Sequence, residues 1–206
     1  MATILVTGAS GFIGRATAKA LAARGFRVIG LDRHPKPVER CDFIHTGDIL
    51  NSGLVRDLVR DSDGVINLAG VLGTSELLGQ GTKEAVRLNI EAAVGVFDAC
   101  RDFFSIPAVQ ITVGNRTWPS IYPISKVAAE NIALAYNRDL GTRIAVVRAM
   151  NAYGPFQKAA PVRKLVPNLI RWAMLNEPAR IYGNGEQILD PIYVDDVGGI
   201  LADALM

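Results

Sequence analysis

The chain has 206 residues, half of them apolar and a fifth charged, with a formal net charge of +2. This composition is ordinary for a globular protein, and the small net charge without a dense Lys/Arg block argues against a nucleic-acid or anionic-membrane partner. The longest apolar runs have the length of a strand, so we expect no membrane span. Cys41 and Cys100 lack metal-ligand spacing, which predicts no metal site and two reduced cysteines in a cytoplasmic protein.

The N-terminal stretch combines a strand-length run, Thr3–Thr7, with a turn that contains Gly8, Gly11 and Gly14. Glycine is needed where backbone passes close to a bound group, because a Cβ would occupy that space. A helical pattern follows at once, and the N-terminus of such a helix directs free N–H groups at a neighbour, usually a phosphate. The Gly-x-x-Gly-x-x-Gly spacing differs from the Gly-x-Gly-x-x-Gly dinucleotide fingerprint. The turn therefore predicts either a phosphate site or a purely structural bend.

Strands and helices alternate along the chain to about residue 150. Apolar runs predict five further strands, at Arg27–Leu31, Asp42–Thr46, Gly64–Leu68, Ala108–Val113 and Arg143–Arg148. Helical spacing predicts helices from Gly14 to about Gly25, from Asn51 or Ser52 to Arg60, from about Thr82 to Asp102 after a glycine-rich loop, and from about Pro119 to Leu140. This alternation predicts an α/β fold with a doubly wound parallel sheet.

From Tyr153 onward, prolines divide the chain into shorter pieces. We predict a helix near Val162–Asn176, short strands at Arg180–Tyr182 and Ile192–Val194, and a final helix from Asp195. That helix reaches the last residue without a cap or a polar tail, so we expect a truncated C-terminal portion.

Asp32 lies 18 residues after Gly14, at the end of the second predicted strand. A dinucleotide-binding fold places there the carboxylate that accepts hydrogen bonds from the adenosine ribose diol. The same carboxylate repels a 2′-phosphate, so NAD is favoured over NADP, although the neighbouring Arg33 can accommodate that phosphate. Asp48, at the end of the third strand, could reach the adenine amine. Both aspartates are also compatible with an ordinary cap or turn role.

Tyr122 and Lys126 are four residues apart on a predicted helix and therefore share a face. A tyrosine titrates near ~10 in water, and a neighbouring ammonium lowers its pKa by favouring the phenolate. Proton transfer to or from a sugar or alcohol hydroxyl then becomes feasible. A lone Tyr-x-x-x-Lys arises by chance in many chains, but its place after the fifth strand of a dinucleotide fold favours a catalytic role.

Five motifs follow one another in a fixed order: Thr7-Gly-Ala-Ser-Gly-Phe-Ile-Gly14, Tyr122-Pro-Ile-Ser-Lys126, Arg148–Pro155, Ile181–Gln187 and Tyr193–Asp196. Together they resemble the extended short-chain dehydrogenase/reductase family, and within it the NAD-dependent nucleotide-sugar epimerases and dehydratases. The resemblance implies a Rossmann-type NAD-binding domain at 1–150. It implies a partial substrate-binding region at 151–206, with the chain returning to the first domain near 190–206. A nucleotide-sugar substrate and a homodimer formed by the long helices near 82–102 and 119–140 are implied as well.

The resemblance also implies roles for individual residues. Tyr122 is the acid/base with Lys126, which also binds the nicotinamide ribose, and Thr112 is our candidate for the third catalytic residue. Asn151 and Tyr153 line the nicotinamide or substrate side. The implied cofactor-binding residues are Gly8, Ser10, Gly11, Phe12, Ile13, Gly14, Asp32, Arg33, Asp48, Ile49, Leu68, Ala69, Gly70, Asn89, Tyr122 and Lys126.

The chain departs from the family's pattern at several positions. Gly114 stands where the family usually has the Ser or Thr that hydrogen-bonds the reacting hydroxyl, which leaves as substitutes Thr112, Asn115 or Thr117. Asn115-Arg116 replaces the Asp-Glu pair of the 4,6-dehydratases, so that chemistry is disfavoured. The arginine that contacts the diphosphate is absent from its usual place near Leu189, and Arg180 or Arg163 could compensate for it.

Our leading interpretation is an NAD-dependent nucleotide-sugar epimerase that transfers hydride to and from NAD, with Tyr122 as acid/base. A sugar reductase or decarboxylase is an alternative, because it would use the same Tyr122 and Lys126. The competing class is a non-catalytic NAD(P)-binding module that acts as a sensor or a partner subunit. The departures from the pattern favour that class, whereas the intact Tyr122/Lys126 pair disfavours it.

Overall fold

A computed structural model describes residues 1–73, 81–117 and 119–206. Within them a six-stranded parallel sheet has the order β3-β2-β1-β4-β5-β6. Its strands are β1 (Thr3–Thr7), β2 (Arg27–Asp32), β3 (Phe43–Thr46), β4 (Gly64–Asn67), β5 (Ala108–Val113) and β6 (Ile144–Ala149). This order confirms the predicted doubly wound sheet. The strand order reverses between β1 and β4, and ligands of such sheets bind in the crevice at the carboxyl ends of the strands there.

Helices cover both faces of the sheet, because side chains of successive strand residues point to opposite faces. Ile4 and Val6 of β1 belong to a buried cluster with Leu201, whereas Leu5 between them belongs to a second cluster with Phe97. The helices in the described residues are α1 (Phe12–Ala23), α2 (Ser52–Arg60), α3 (Gly81–Val86), α4 (Ala92–Asp102), α5 (Ile121–Leu140), α6 (Leu165–Met174) and α7 (Val194–Asp203). None of them has the length and hydropathy of a membrane-spanning helix.

The helix predicted from Thr82 to Asp102 is not uniform, because a π-helical turn at Arg87–Glu91 separates α3 from α4. Such turns occur mostly as local insertions inside α-helices and frequently at functional sites. Asn89 lies in this turn and is 1% exposed. Most of the glycine-rich loop predicted before this helix lies outside the described residues.

Beyond residue 150 a second, two-stranded sheet pairs β7 (Asn151–Tyr153) with β8 (Pro191–Tyr193) in parallel. The predicted strand at Arg180–Tyr182 is wrong, because that described segment pairs with no strand. The Tyr182 hydroxyl instead accepts a hydrogen bond from Arg163 at 3.0 Å. Helix α6 corresponds to the helix predicted near Val162–Asn176, and along its described length no residue is buried.

Helix α7 crosses α1 at very short range, and Gly198 makes this crossing possible. A Cβ at Gly198 would lie 2.6 Å from the carbonyl carbon and oxygen of Ala16. Ion pairs flank the crossing, Lys19–Asp195 at 2.7 Å and Arg24–Asp203 at 2.6 Å. The last helix is therefore part of the layer that covers the large sheet.

We expect Gly198→Ala to lower the free energy of unfolding by about 1–3 kcal/mol, because the new methyl group overpacks the crossing of α7 with Ala16. Gly199→Ala is the matched control, since in the described part of the chain a Cβ there would meet only the Arg24 guanidinium, at 3.8 Å. That control is expected to be neutral or stabilising by up to about 1 kcal/mol, because alanine is the better helix former. Urea unfolding followed by circular dichroism compares the two, and equal effects would contradict the close crossing.

Candidate functional site

The glycine turn lies at the crevice between β1 and β4. Gly8 has a φ of +68°, and its N–H donates to the Leu31 carbonyl oxygen at 2.8 Å. A Cβ at Gly8 would lie 3.1 Å from the Ala69 nitrogen, and a Cβ at Gly14 would overlap the Gly8 carbonyl oxygen. Glycine at these positions therefore lets β1, α1 and the residues after β4 approach more closely than any side chain would allow.

A cavity of about 340 Å³ opens at this edge of the sheet. Most of the predicted cofactor-binding residues line it: Gly8, Gly11, Phe12, Ile13, Gly14, Asp32, Arg33, Asp48, Ile49, Leu68, Ala69 and Gly70. Ser10, Asn89, Tyr122 and Lys126 do not. Further lining residues were not predicted from the sequence: Leu31, His34, Gly47, Leu72, Leu88 and Ile111. His34 and Gly47 are neighbours of the predicted site residues Arg33 and Asp48 in the sequence, so their position could have been predicted. The apolar lining residues cannot be distinguished in the sequence from ordinary buried residues.

The Asp32 carboxylate is held in place by two backbone N–H groups. Its Oδ2 accepts from Ser10 at 3.0 Å and its Oδ1 accepts from His34 at 2.9 Å. The Ser10 hydroxyl in turn accepts from the Lys36 N–H at 2.9 Å. These bonds connect the glycine turn to the segment after β2, so Ser10 shapes the rim of the cavity without lining it. Asp48 lines the cavity, and its Oδ1 accepts from the Leu50 N–H at 3.0 Å, as a turn residue does.

A buried polar network joins the three central strands beneath the cavity. The Thr7 hydroxyl donates to Asn67 Oδ1 at 2.6 Å and accepts from the N–H groups of Leu68 and Ala69, both at 3.1 Å. Asn67 Nδ2 donates to Gln110 Oε1 at 2.7 Å. Such fully paired networks hold backbone segments in one arrangement. The sequence analysis assigned no function to Thr7 or Gln110, because their pairing is non-local.

Helix α5 carries Tyr122 and Lys126 one turn apart. Lys126 is 5% exposed, and its Nζ lies beside Gly70, where a Cβ would approach it to 3.1 Å. Burial lowers the pKa of Lys126 to about 8. Burial also raises the pKa of the Tyr122 phenol. The expected lowering of the Tyr122 pKa by Lys126 is therefore wrong, because loss of hydration disfavours the phenolate as well as the ammonium.

Asn89 connects the loop after β4 with the first turn of α5. Its Oδ1 accepts from the Val71 N–H at 3.0 Å, and its Nδ2 donates to the Val71 carbonyl oxygen and to the Ser125 hydroxyl, both at 2.9 Å. The Ser125 hydroxyl donates to the Tyr122 carbonyl oxygen at 2.9 Å. Asn89 thus contacts the helix at the turn from which Tyr122 projects.

Thr112 is 3% exposed and donates its hydroxyl to the Lys126 carbonyl oxygen at 3.2 Å. It belongs to the contact between β5 and α5 and does not line the cavity, so its catalytic role stays a prediction. The Thr117 hydroxyl donates to Asn115 Oδ1 at 3.3 Å in an exposed loop. A Cβ at Gly114 would overlap the Met150 sulfur. Met150 therefore occupies the space that a Ser or Thr side chain at position 114 would need.

Glu130, one turn after Lys126 on the same face of α5, was missed by the sequence analysis. Its side chain is fully buried, and its Oε1 accepts from Arg148 Nε at 3.1 Å and Nη2 at 2.6 Å. Arg116 lies 3.4 Å from the same oxygen. Burial opposes ionisation, but the hydrogen bonds and charge of Arg148 and the charge of Arg116 hold the pKa of Glu130 below its usual value. The sequence gives one indication of this position, because a residue four places after Lys126 lies on the same face of a helix.

Asn151 and Tyr153, the predicted substrate-binding residues, lie on β7. Tyr153 packs edge-to-face on Tyr193, with ring centroids 5.6 Å apart. It lines a second cavity of about 560 Å³ together with residues of the α6 region, including Gln157 and Ile170. Asn151 is exposed and lines neither of these two cavities. Among the described residues no group of His, Cys, Asp and Glu could hold a metal ion.

Comparisons with known proteins agree with this architecture. The sequence model of the NAD dependent epimerase/dehydratase family matches residues 4–205. A dTDP-glucose 4,6-dehydratase of Xanthomonas campestris pv. campestris is 28% identical over 233 aligned positions, which cover 95% of this chain and 65% of the relative. A UDP-N-acetyl-alpha-D-glucosaminuronate decarboxylase of Bacillus cytotoxicus is 27% identical, over 93% of this chain and 67% of its own length. The chain thus spans about two thirds of the length of these relatives.

Among solved structures, the UDP-glucuronic acid 4-epimerase of Bacillus cereus in complex with UDP-glucuronic acid and NAD is similar to this chain. It superposes with a TM-score of 0.84 at 26% identity, over 95% of this chain and 70% of the epimerase. The resemblance to the epimerase and dehydratase family is confirmed by these matches.

Substitution of the buried ammonium has a pH-dependent effect on stability. The pKa of Lys126 is about 8 in the folded protein and its usual value is 10.5. Between pH 8 and pH 10.5 the unfolded chain binds more protons than the folded protein, so stability rises with pH. Below pH 8 Lys126 is charged in both states, and the full cost of burying its charge lowers the stability of the folded protein. We expect Lys126→Met to stabilise the protein by on the order of 2–3 kcal/mol at pH 7, with the gain shrinking as the pH rises toward 10.

Urea unfolding of Lys126→Met and the unsubstituted protein at pH 7 and pH 9.5 measures this difference. Lys158→Met removes an exposed lysine outside the site and serves as the control. A Lys126→Met variant that is no more stable than the unsubstituted protein at pH 7 would contradict the buried cation.

Proposed function

Because the chain belongs to the NAD dependent epimerase/dehydratase family, we propose that it is an NAD-dependent enzyme that modifies a nucleotide sugar, with epimerisation as the favoured reaction. The observation that carries this proposal is the position of Tyr122 and Lys126 on one face of α5. The ammonium of Lys126 adjoins Gly70, which lines the cavity at the β1–β4 crevice. An acid/base pair at the edge of a cofactor cleft is what hydride-transfer chemistry on an alcohol requires.

The residues around the cavity fit a dinucleotide. A Cβ at Gly11 would meet, among the described residues, only the Gly8 carbonyl oxygen at 3.0 Å, so the turn is open on its cavity side. The first turn of α1 offers backbone N–H groups to a pyrophosphate. The Asp32 carboxylate would accept hydrogen bonds from the hydroxyls of the adenosine ribose, and Asp48 and Ile49 would border the adenine. Bound NAD would supply the hydride acceptor and donor.

The chain's own residues would move the proton and hold the reacting groups. Tyr122 would take a proton from the sugar hydroxyl and return it. Lys126, with a pKa of about 8, carries a positive charge at neutral pH, and this charge would offset part of the cost of forming a buried phenolate at Tyr122. Asn89 and Ser125 would keep the first turn of α5, and with it Tyr122, at a fixed distance from the loop after β4.

The type of reaction is the finer part of the proposal. The relatives include a dehydratase, a decarboxylase and an epimerase by name. Asn115-Arg116 supplies no acidic pair for dehydration, so we place dehydration last. A sugar reductase or decarboxylase remains our alternative, because it would need only Tyr122 and Lys126. The glycine at position 114 favours a second candidate, a non-catalytic NAD-binding module, because the side-chain hydroxyl usual there is missing.

We also propose a homodimer and a cytoplasmic location. The dimer would form through the long helices, because Val86, Ile124 and Leu134 expose between 47% and 57% of their surface there. The location rests on Cys41 and Cys100, which are both free thiols, as is usual in a reducing compartment.

We expect Asp32→Asn to weaken the binding of NAD by about tenfold or more, because a hydrogen bond to a charged group is worth about 1.5–3 kcal/mol. Asp63→Asn is the matched control, since the Asp63 carboxylate also accepts a backbone N–H, from Thr3 at 2.8 Å, but lines no part of the cavity. Isothermal titration with NAD measures both. If the unsubstituted protein binds no NAD, or if both variants lose equal affinity, the proposed cofactor site is wrong.

We expect Tyr122→Phe to lower turnover of a nucleotide-sugar panel by about 10²–10⁴-fold, the usual contribution of a general acid/base, while NAD affinity changes by less than about threefold. Tyr136→Phe is the control on the same helix, because the Tyr136 hydroxyl donates to Asp98 at 3.0 Å, away from the site. Equal turnover in the two variants would exclude Tyr122 as the acid/base. NAD binding without turnover by the unsubstituted protein would favour the binding-module candidate.

A further inference from the structure

We propose that Glu84 is a positioning residue that maintains selectivity for NAD over NADP by holding the guanidinium of Arg33. This inference rests on the proposed NAD site and names a residue to which the family resemblance assigns no role.

Two neighbouring side chains act in opposite directions on a 2′-phosphate. Asp32 repels it, whereas Arg33 can pair with it. The structure puts both along the wall of the cavity. The Ser10 and His34 N–H groups fix the Asp32 carboxylate. A ribose diol bound to that carboxylate would therefore lie next to Arg33. An unrestrained Arg33 would therefore reach a phosphate on the 2′-hydroxyl.

Glu84 of α3 supplies the restraint. Its Oε1 lies 3.7 Å from Arg33 Nη2, and both side chains are about half exposed. Arg33 lines the cavity, so its ion pair brings Glu84 close to the cavity wall. The ion pair neutralises the guanidinium and leaves the Asp32 charge to decide which cofactor binds. With Glu84 present, the charges of Asp32, Arg33 and Glu84 sum to −1, and without it those of Asp32 and Arg33 cancel. The Arg33 guanidinium would then also be free to turn toward a 2′-phosphate.

The exposed pair affects selectivity far more than stability. Half-exposed ion pairs contribute little to folding, so loss of Glu84 does not threaten the fold. A 2′-phosphate, in contrast, adds about two negative charges within the ~8–10 Å over which charges act at ordinary ionic strength. A guanidinium released from Glu84 would pair with that phosphate, and one such ion pair is enough to change NADP affinity severalfold.

The test is an isothermal titration of NAD and of NADP into the full chain and its variants. Glu84→Gln is expected to raise NADP affinity by about three- to tenfold and to change NAD affinity by less than about twofold. The gain in NADP affinity is expected to vanish when Glu84→Gln is combined with Arg33→Ala, because the two residues act through one interaction. It is also expected to shrink in 0.5 M salt.

Glu91→Gln is the matched control. Glu91 pairs with Arg87 at the same separation of 3.7 Å and with similar exposure, in the π-helical turn that follows α3, and neither residue lines the cavity. An unchanged affinity ratio in Glu84→Gln, an equal change in Glu91→Gln, or a gain that persists without Arg33 would each overturn the inference alone. Failure of the unsubstituted protein to bind either dinucleotide would overturn the proposed function and this inference together.

Discussion

The hydroxyl of Thr7 joins the end of β1 to the residues that follow β4, and the geometry of the crevice depends on it. One oxygen donates to Asn67 and accepts from the N–H groups of Leu68 and Ala69, so the two chain segments cannot separate without leaving buried polar groups unpaired. The next residue, Gly8, can lie against Ala69 only because it has no Cβ. The loop fixed in this way continues to Gly70, beside the Lys126 ammonium. A constraint between two strands thus determines how far α5 stands from the glycine turn.

Burial of the Lys126 ammonium at the site costs free energy. A lysine whose pKa falls to about 8 has lost most of its hydration, and the fold has to offset that cost elsewhere. One turn further along α5, Glu130 accepts two hydrogen bonds from Arg148 of β6 and fastens the helix to the edge of the sheet. Thr112 adds a hydrogen bond to the Lys126 carbonyl oxygen. Helix α5 is thus held by side chains that line neither of the two cavities.

Local patterns predicted the parts of this molecule that depend on local geometry. The glycine turn, Asp32 and the Tyr122/Lys126 spacing each follow from a few neighbouring residues, and the alternation of apolar runs was enough for the parallel sheet. Non-local features were beyond that reasoning. A strand at Arg180–Tyr182 would have required a partner strand that the fold does not provide, and the π-helical turn that turns Asn89 inward has no residue signature. The Tyr122 pKa was predicted in the wrong direction because a spacing of four reports the neighbouring charge but not the loss of water.

The two ends of the site differ in how strongly the described residues determine them. At the dinucleotide end, Asp32, Ser10 and Thr7 are each held by two or more hydrogen bonds, so small changes in charge near the rim act on a rigid background. At the sugar end, Met150 fills the space beside Gly114 and α6 buries none of its residues. Thr112 donates its hydroxyl to the Lys126 carbonyl oxygen, so among the described residues of α5 the proposed proton transfer rests on Tyr122 and Lys126. In the proposed function, selectivity for the cofactor is therefore a property of side-chain charge at the rim of the cavity.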